Sequence, residues 1–123
     1  MYRRIVVVVN KLINATKYSL VGLRTAIAKE WALRVELLCC AVLFPGVFIL
    51  AKNYMHGLML LGTFFLVIIA ELFNTAIERV VDRVGLQNHS LSKEAKDIGS
   101  SCVFLAIILS LIVWVYSVLM WLW

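Results

Sequence analysis

This sequence is poor in charge, with Lys, Arg, Asp and Glu making up only 15% of its 123 residues. Ordinary globular chains carry about 25% charged and about 45–50% apolar residues. Here the hydrophobic share is 63%. That composition excludes a soluble globular domain and indicates an integral membrane protein.

Several familiar chemical signatures are also missing. There is no G-x-x-x-x-G-K-[ST] and no G-x-G-x-x-G, which excludes the phosphate cradles of P-loop proteins and soluble kinases. Cys39, Cys40 and Cys102 lie in apolar segments without metal-type spacing, so we interpret them as small hydrophobic residues. With one proline, no repeat and no Pro/Gly-rich linker, the chain is predicted to form a single domain over residues 1–123.

Three long apolar stretches are present, at about residues 37–51, 54–80 and 97–121. A helix needs about 20 predominantly apolar residues to cross a bilayer. The third stretch meets this length alone, and the second meets it if the helix starts near Asn53. The first is short and contains Pro45, so it is the weakest of the three. We predict an all-α integral membrane fold with three transmembrane helices per protomer.

The second and third spans are separated by one polar break. Gly85 can end the helix before it, and Ser90 or Ser92 can cap the helix after it. Gly99 and Ser100 lie one turn inside the third span, and small residues there permit close approach of a neighbouring helix.

The basic residues follow membrane topology rather than a nucleic-acid-binding surface. Of the twelve Lys and Arg residues behind the net charge of +5, seven precede residue 37, one lies in the turn at 52–56 and four lie at 79–97. The positive-inside rule then places the N-terminus and the 79–97 loop in the cytoplasm and the C-terminus in the periplasm. No nucleic-acid partner is predicted.

Residues 1–36 are predicted to form amphipathic interfacial helices instead of a span. Val9, Leu12 and Ile13 recur at helical steps, and a second such pattern begins near Leu20. Basic amphipathic helices of this kind lie in the membrane interface with the apolar face inward. For the first helix, a purely anchoring role and a part in a functional site both remain open.

A stripe of acidic and amide side chains lies where the second span leaves the membrane. Residues 57–70 carry no charge, and Glu71, Asn74, Glu78 and Asp82 follow. At about 100° per helical residue, Asn74, Glu78 and Asp82 fall within roughly 60° of Glu71. A carboxylate in or near hydrocarbon is costly and indicates function by default.

The stripe fits phosphoryl transfer. Hard oxygen ligands suit Mg²⁺, which takes one or two carboxylates and completes its shell with water and phosphate oxygens. Phosphoryl transfer then needs a cation on the developing charge and a placed nucleophile. Glu71 could accept the proton of a hydroxyl at the lipid–water boundary, and Glu78 lies in the zone where a metal–nucleotide would arrive. Alternatively, such acids hold oligomer helices together by pairing with Arg or Lys.

Three motifs resemble the prokaryotic membrane diacylglycerol kinase family. They are E-L-F-N-T-A-I-E-R-V-V-D-R at residues 71–83, K-D-I-G-S at 96–100 and Y-S-L-V-G-L-R at 18–24. The stretch at 22–36 is similar to the Gram-negative branch. The resemblance covers nearly the whole chain and implies a homotrimer in the bacterial inner membrane, with sites shared between protomers. It also implies MgATP-dependent phosphorylation of diacylglycerol.

The resemblance implies roles for individual residues as well. Glu71 would be the catalytic base, and Glu30 and Glu78 would hold the magnesium ion. The residues expected to contact ATP are Lys11, Tyr18, Glu30, Asn74, Glu78, Asp82, Gln87, His89, Lys96 and Asp97. The residues expected to contact the lipid substrate are Lys11, Thr16, Ser19, Arg24, Arg34, Glu36, Glu71, Ser100 and Trp114.

Two residues differ from the usual family sequence, and three alternative functions compete with this interpretation. Lys11 stands where better-known members have Arg, which replaces a bidentate phosphate contact by a point charge. Ile27 replaces a frequent Trp, which removes an aromatic lipid contact. The rivals are an undecaprenol kinase of the same fold, a small ion or proton transporter that uses the acidic stripe as a relay, and a purely structural membrane subunit.

Overall fold

A computed structural model describes residues 2–85 and 89–123, and it contains four helices and no strand within those ranges. In chain order the helices are α1 (Tyr2–Lys29), α2 (Trp31–Leu50), α3 (Tyr54–Val84) and α4 (Ser90–Leu122). The chain divides into two compact units, Met1–Trp31 and Ala32–Trp123. The second unit is called the membrane bundle below. The predicted all-α fold is confirmed.

The first unit is built on α1, one uninterrupted helix of 28 residues. The sequence predicted two successive amphipathic helices here, and both hydrophobic patterns lie on this one helix. Even the β-branched residues at 6–9 are helical, as expected near a membrane, where a helix satisfies its own backbone groups. Lys29 lies in the last turn, where a cation favours the helix dipole. The N–H of Glu30 still donates to the carbonyl of Ala26, at 2.8 Å, and the helix ends there.

The three helices α2, α3 and α4 are each long and apolar enough to cross a membrane. Helix α2 begins at Trp31, six residues before the apolar stretch predicted from 37, and it continues through Pro45. A proline removes one backbone donor and bends a helix without always ending it. The predicted count of three spans therefore agrees with the helices of the bundle.

Helix α3 begins where the sequence predicted. The side chain of Asn53 caps its N-terminus by accepting a hydrogen bond from the N–H of His56, at 2.9 Å. At 1.5 Å per residue, 31 residues extend about 46 Å. The hydrocarbon core is only about 30 Å thick. Since every Asp, Glu, Lys or Arg of α3 lies at or after Glu71, the C-terminal turns are the part suited to extend beyond the hydrocarbon.

The connection between α3 and α4 differs from the prediction at one position. Gly85 ends α3 as expected, and its N–H donates to the carbonyl of Val81 at 3.3 Å. The cap of α4 is His89, whose Nδ1 accepts from the N–H of Leu91 at 3.2 Å. The prediction that Ser90 or Ser92 caps this helix was therefore wrong. An unprotonated imidazole nitrogen can accept the same hydrogen bond as a serine hydroxyl.

Helices α3 and α4 run antiparallel and pack along their length. Side chains meet between His56 and Ser117 near the 51–53 turn, and between Asp82 and Lys96 near the 86–88 loop. These two regions are called the turn end and the loop end below. At the turn end, α2 joins the pair through a buried apolar cluster, which consists of Val47, Leu50 and Leu60 with Leu61, Phe64, Val113 and Trp114 against it. Most other apolar side chains lie outside this contact, as expected of helices surrounded by lipid.

Candidate active site

The stripe on α3 forms one continuous helical face at the loop end. Glu71 and Asn74 are buried, with 7% and 9% of their surface exposed, Glu78 is half-buried and Asp82 is exposed. The burial falls along the helix towards its C-terminal end. The carboxyl group of Glu71 is thus sheltered from water, whereas the last turns of α3 stay accessible. This gradient places a sheltered acid next to an accessible acidic edge.

Asn74 joins the buried and accessible parts of the stripe. Its Nδ2 donates to Oε1 of Glu78, one turn further along α3, at 3.3 Å. Its Oδ1 is buried and has no hydrogen-bond partner in the described residues. The amide lies against Gly99 of α4, where an added β-carbon would come within 2.6 Å of Oδ1. The small residue predicted to allow close helix approach at this point does so.

Asp82 and Lys96 form an ion pair across the loop end, with Nζ and Oδ1 separated by 2.6 Å. Their side chains are 51% and 39% exposed, so water screens the pair. Exposed pairs contribute little to stability. The pair is therefore more important for where it holds the Lys96 ammonium group than for stability. It places a cation at the outer end of the acidic stripe, on Asp82.

Glu36 of α2 is a half-buried acid. Its Oε2 is buried and has no hydrogen-bond partner among the described residues. Buried polar atoms are normally satisfied, so this oxygen is open to a ligand. The resemblance implies lipid contacts for both Glu36 and Glu71.

The other predicted site residues of the loop and of α4 have varied surroundings. His89 is exposed and occupied with capping α4, and the carbonyl of Asp97 accepts from the Ser101 hydroxyl at 2.8 Å. Ser100 is exposed one residue beyond Gly99. Gln87 lies outside the described residues.

Trp114 lies far from this stripe, at the turn end of the bundle. Its Nε1 donates to Oγ1 of Thr63 at 3.2 Å, and its ring stacks on Phe64 with centroids 4.9 Å apart. A β-carbon on Gly46 would come within 3.1 Å of the same ring. Trp114 is thus a packing residue between three helices, in addition to the lipid contact predicted for it.

The residues predicted from α1 are mostly exposed on that helix, and Arg34 is exposed at the start of α2. The hydroxyls of Thr16 and Ser19 donate to the carbonyls of Leu12 and Ala15, one turn back, at 2.9 and 3.0 Å. Both hydroxyls can still accept a hydrogen bond from a ligand. The remaining predicted residues of this unit are Lys11, Tyr18, Arg24 and Glu30.

The donor chemistry at the loop end fits a magnesium ion. In the described ranges, 2–85 and 89–123, no three His, Cys, Asp or Glu side chains form a group that could hold a metal. Mg²⁺ does not require such a cage, because one or two carboxylates with water and phosphate oxygens satisfy it. The half-buried carboxylate of Glu78, oriented by Asn74, is a donor of that kind.

A polar network at the turn end was not predicted from the sequence. His56 Nε2 lies 2.8 Å from the hydroxyl of Ser117, which donates to the carbonyl of Val113 at 2.7 Å. Thr63, the partner of Trp114, was missed as well. Thr63 and Ser117 are single polar residues in apolar runs, and His56 follows the polar turn at 52–53. Only the paired positions on antiparallel helices would have indicated these contacts.

Comparison with known proteins identifies the family. Residues 17–118 match the profile of the family described as "Prokaryotic diacylglycerol kinase". This range includes α3, most of α4 and the whole acidic stripe. It covers most of the chain.

Several curated proteins are similar over nearly the whole sequence. A diacylglycerol kinase of Haemophilus influenzae is 44% identical over 103 residues, which cover 84% of this chain and 87% of that protein. One from Escherichia coli strain K12 is 42% identical over 113 residues, 90% of this chain and 89% of the relative. One from Pseudomonas aeruginosa is 40% identical over 104 residues, 85% of each. The chain therefore belongs to the prokaryotic diacylglycerol kinase family.

Proposed function

We propose that this protein is an MgATP-dependent lipid kinase that phosphorylates diacylglycerol to phosphatidic acid at the cytoplasmic membrane surface. The observation that carries the proposal is the buried Glu71, followed on the same helix face by Asn74 and the accessible Glu78. A hydroxyl at the lipid boundary and a nucleotide in water can approach such a face from opposite directions. Family membership supports the kinase activity and ATP as its co-substrate.

Glu71 acts as the general base in this mechanism. Its carboxylate accepts the proton of the lipid hydroxyl while the hydroxyl oxygen attacks the γ-phosphorus of ATP. The bond from that phosphorus to the bridging oxygen breaks, and ADP leaves with the electron pair. Because Glu71 is largely screened from water, it can hold the proton until the product departs. Glu36, whose Oε2 is buried, is assigned to the same lipid side.

The nucleotide side uses the outer part of the stripe. Glu78, with Glu30, would hold Mg²⁺, which when bound would neutralise negative charge on the phosphates. The Lys96 ammonium, held by Asp82, supplies a positive charge for the phosphates. The remaining residues assigned to the nucleotide are Lys11, Tyr18, Asn74, Gln87, His89 and Asp97.

The lipid substrate is proposed to reach Glu71 from the side, between helices. Diacylglycerol stays in the bilayer, so only its hydroxyl must reach the interface. The residues assigned to this path, besides Glu36 and Glu71, are Lys11, Thr16, Ser19, Arg24, Arg34, Ser100 and Trp114.

We further propose a homotrimer in the bacterial inner membrane, with the N-terminus in the cytoplasm. Buried acids on a bundle of three helices need cover from lipid, which another protomer can provide. The excess of Lys and Arg before residue 37 supports the orientation. Chemical cross-linking in native membranes should give a ladder that ends at the trimer, and a ladder that ends at the dimer would contradict this assembly.

The decisive experiment is an assay of the purified protein in mixed micelles with MgATP. Diacylglycerol should be phosphorylated far faster than undecaprenol, and omission of the lipid should abolish ADP release. A reversed lipid preference would identify an undecaprenol kinase. A folded protein without kinase activity that conducts ions in proteoliposomes would identify a transporter, and one that does neither would support a structural subunit.

A further inference from the structure

The amide of Asn74 is held between α3 and α4. One end, Nδ2, donates to Oε1 of Glu78 at 3.3 Å. The other end, Oδ1, is buried without a hydrogen-bond partner among the described residues and lies against Gly99. A β-carbon at position 99 would come within 2.6 Å of Oδ1, closer than side-chain contacts in proteins allow.

The orientation of this amide follows from the chemistry of its neighbour. An ionised carboxylate only accepts hydrogen bonds, so the atom that faces Glu78 must be the donor, Nδ2. Oδ1 must then point at the backbone of α4. A glycine Cα–H is a weak donor that suits an oxygen at a helix–helix contact. The amide would not fit the other way round without placing two oxygens together.

The backbone conformation at position 99 does not require a glycine. No glycine among the described residues has a positive φ. A glycine inside a helix costs about 1 kcal/mol relative to alanine. The position is also buried, so an alanine methyl group would otherwise be favourable. What the missing side chain provides is space for Oδ1 of Asn74.

We propose that Gly99 is a positioning residue of the metal–nucleotide site. By leaving room for Oδ1, it fixes the Asn74 amide, and the amide in turn fixes the carboxylate of Glu78. A side chain at position 99 displaces Asn74, breaks its bond to Glu78 and weakens the metal site. This inference rests on the proposed function, in which Glu78 holds Mg²⁺.

The test compares Gly99→Ala with Gly62→Ala. Gly62 lies on α3, and a β-carbon there meets no atom within 4 Å, so its variant should behave as the native protein. In Gly99→Ala, the Mg²⁺ concentration that gives half-maximal turnover should rise about 10-fold or more, as for partners of metal ligands in general. Titration of Mn²⁺ with a non-hydrolysable nucleotide, followed by electron paramagnetic resonance, should weaken by the same factor. An unchanged Mn²⁺ affinity in Gly99→Ala would overturn the proposal.

A double variant separates positioning from packing. Asn74→Ala removes the group that position 99 would strike, so adding Gly99→Ala to it should weaken Mn²⁺ binding no further. Equal losses in both backgrounds would mean that Gly99 acts through helix packing, which overturns the proposal. If Gly99→Ala alone does not fold, the double variant should fold, and failure of both variants would again overturn it. A native protein that binds Mn²⁺–nucleotide but transfers no phosphate would overturn the proposed function alone.

Discussion

The turn end and the loop end of the bundle differ in whether their buried polar atoms have hydrogen-bond partners. At the turn end, the polar side chains form closed chains of hydrogen bonds, from the N–H of Lys52 through His56 and Ser117 to the carbonyl of Val113. At the loop end, Glu36 Oε2 and Asn74 Oδ1 are buried without partners, and they are the only such atoms in the described ranges. Buried polar atoms are normally satisfied, so exceptions need an explanation.

The difference indicates that one end of the bundle serves stability and the other serves ligand binding. A closed network has its partners already, so it contributes rigidity and offers nothing to a ligand. A network with unpaired buried atoms retains the free-energy cost of removing those atoms from water, and a bound substrate can reduce that cost by pairing with them. The loop end, with its buried acids, is therefore where we expect changes in turnover, and the turn end is where we expect changes in stability. Four variants test this contrast.

The largest effect is expected for Glu71→Gln. The amide cannot accept a proton, so turnover should fall about 10²–10⁴-fold, the usual contribution of a general base. Nucleotide affinity should change little because Glu71 lies on the lipid side. Turnover with MgATP, measured together with binding of a fluorescent ATP analogue, checks both. Near-native turnover would show that another group takes the proton.

A smaller effect is expected for Glu78→Gln. Loss of a metal-binding carboxylate should raise the Mg²⁺ concentration for half-maximal turnover by at least about 10-fold, and excess Mg²⁺ should restore part of the rate. A Mg²⁺ titration of the initial rate is the measurement. Arg83→Gln, a change of charge on an exposed residue of the same helix, is the matched control. A rate loss that no Mg²⁺ concentration relieves would argue against a metal ligand.

Ser117→Ala tests the turn end. The hydroxyl is fully buried, and its removal leaves Nε2 of His56 without its partner. The stability of the bundle should fall by about 1–3 kcal/mol, as for other buried groups left unsatisfied. Thermal inactivation in detergent micelles should occur at lower temperature, while kcat measured well below that temperature should be unchanged. A fall in kcat without a loss of stability would contradict the expectation that the turn end affects stability and not turnover.

The smallest effect is expected for Thr63→Val. Valine keeps the shape of threonine but removes the oxygen that accepts from the indole of Trp114. Because Trp114 is only half-buried, the loss of stability should be about 1 kcal/mol, near the net value of one hydrogen bond. Tryptophan fluorescence during thermal unfolding reports it. A loss larger than that of Ser117→Ala would reverse the order of the two contacts.

Much of the fold was predictable because it depends on local patterns. The apolar stretches, the start of α3 near Asn53 and its stop at Gly85 are signals within a few residues of the sequence, and each was confirmed. The cap at His89 was missed because a histidine accepts such a bond only when its ring nitrogen is unprotonated and correctly turned. The early start of α2 at Trp31 was missed because charged residues there obscured the apolar pattern.

For the candidate site, the helical face was predictable and the contacts across helices were not. The spacing of Glu71, Asn74 and Glu78 put them on one side of α3 by periodicity alone. That Oε2 of Glu36 is buried without a partner depends on how α2 packs in the bundle, which no spacing encodes. The same is true of Asp82 and Lys96.

The sequence by itself determined that this chain is a helical membrane protein of its family, with an acidic helix face at one boundary. Those properties follow from hydrophobicity, helical periodicity and motifs, which are local. Only the tertiary structure decided that Oδ1 of Asn74 lies against Gly99 and that Ser117 completes the network of His56. Such contacts depend on the relative register of two helices, and register is set by the packing of many side chains at once.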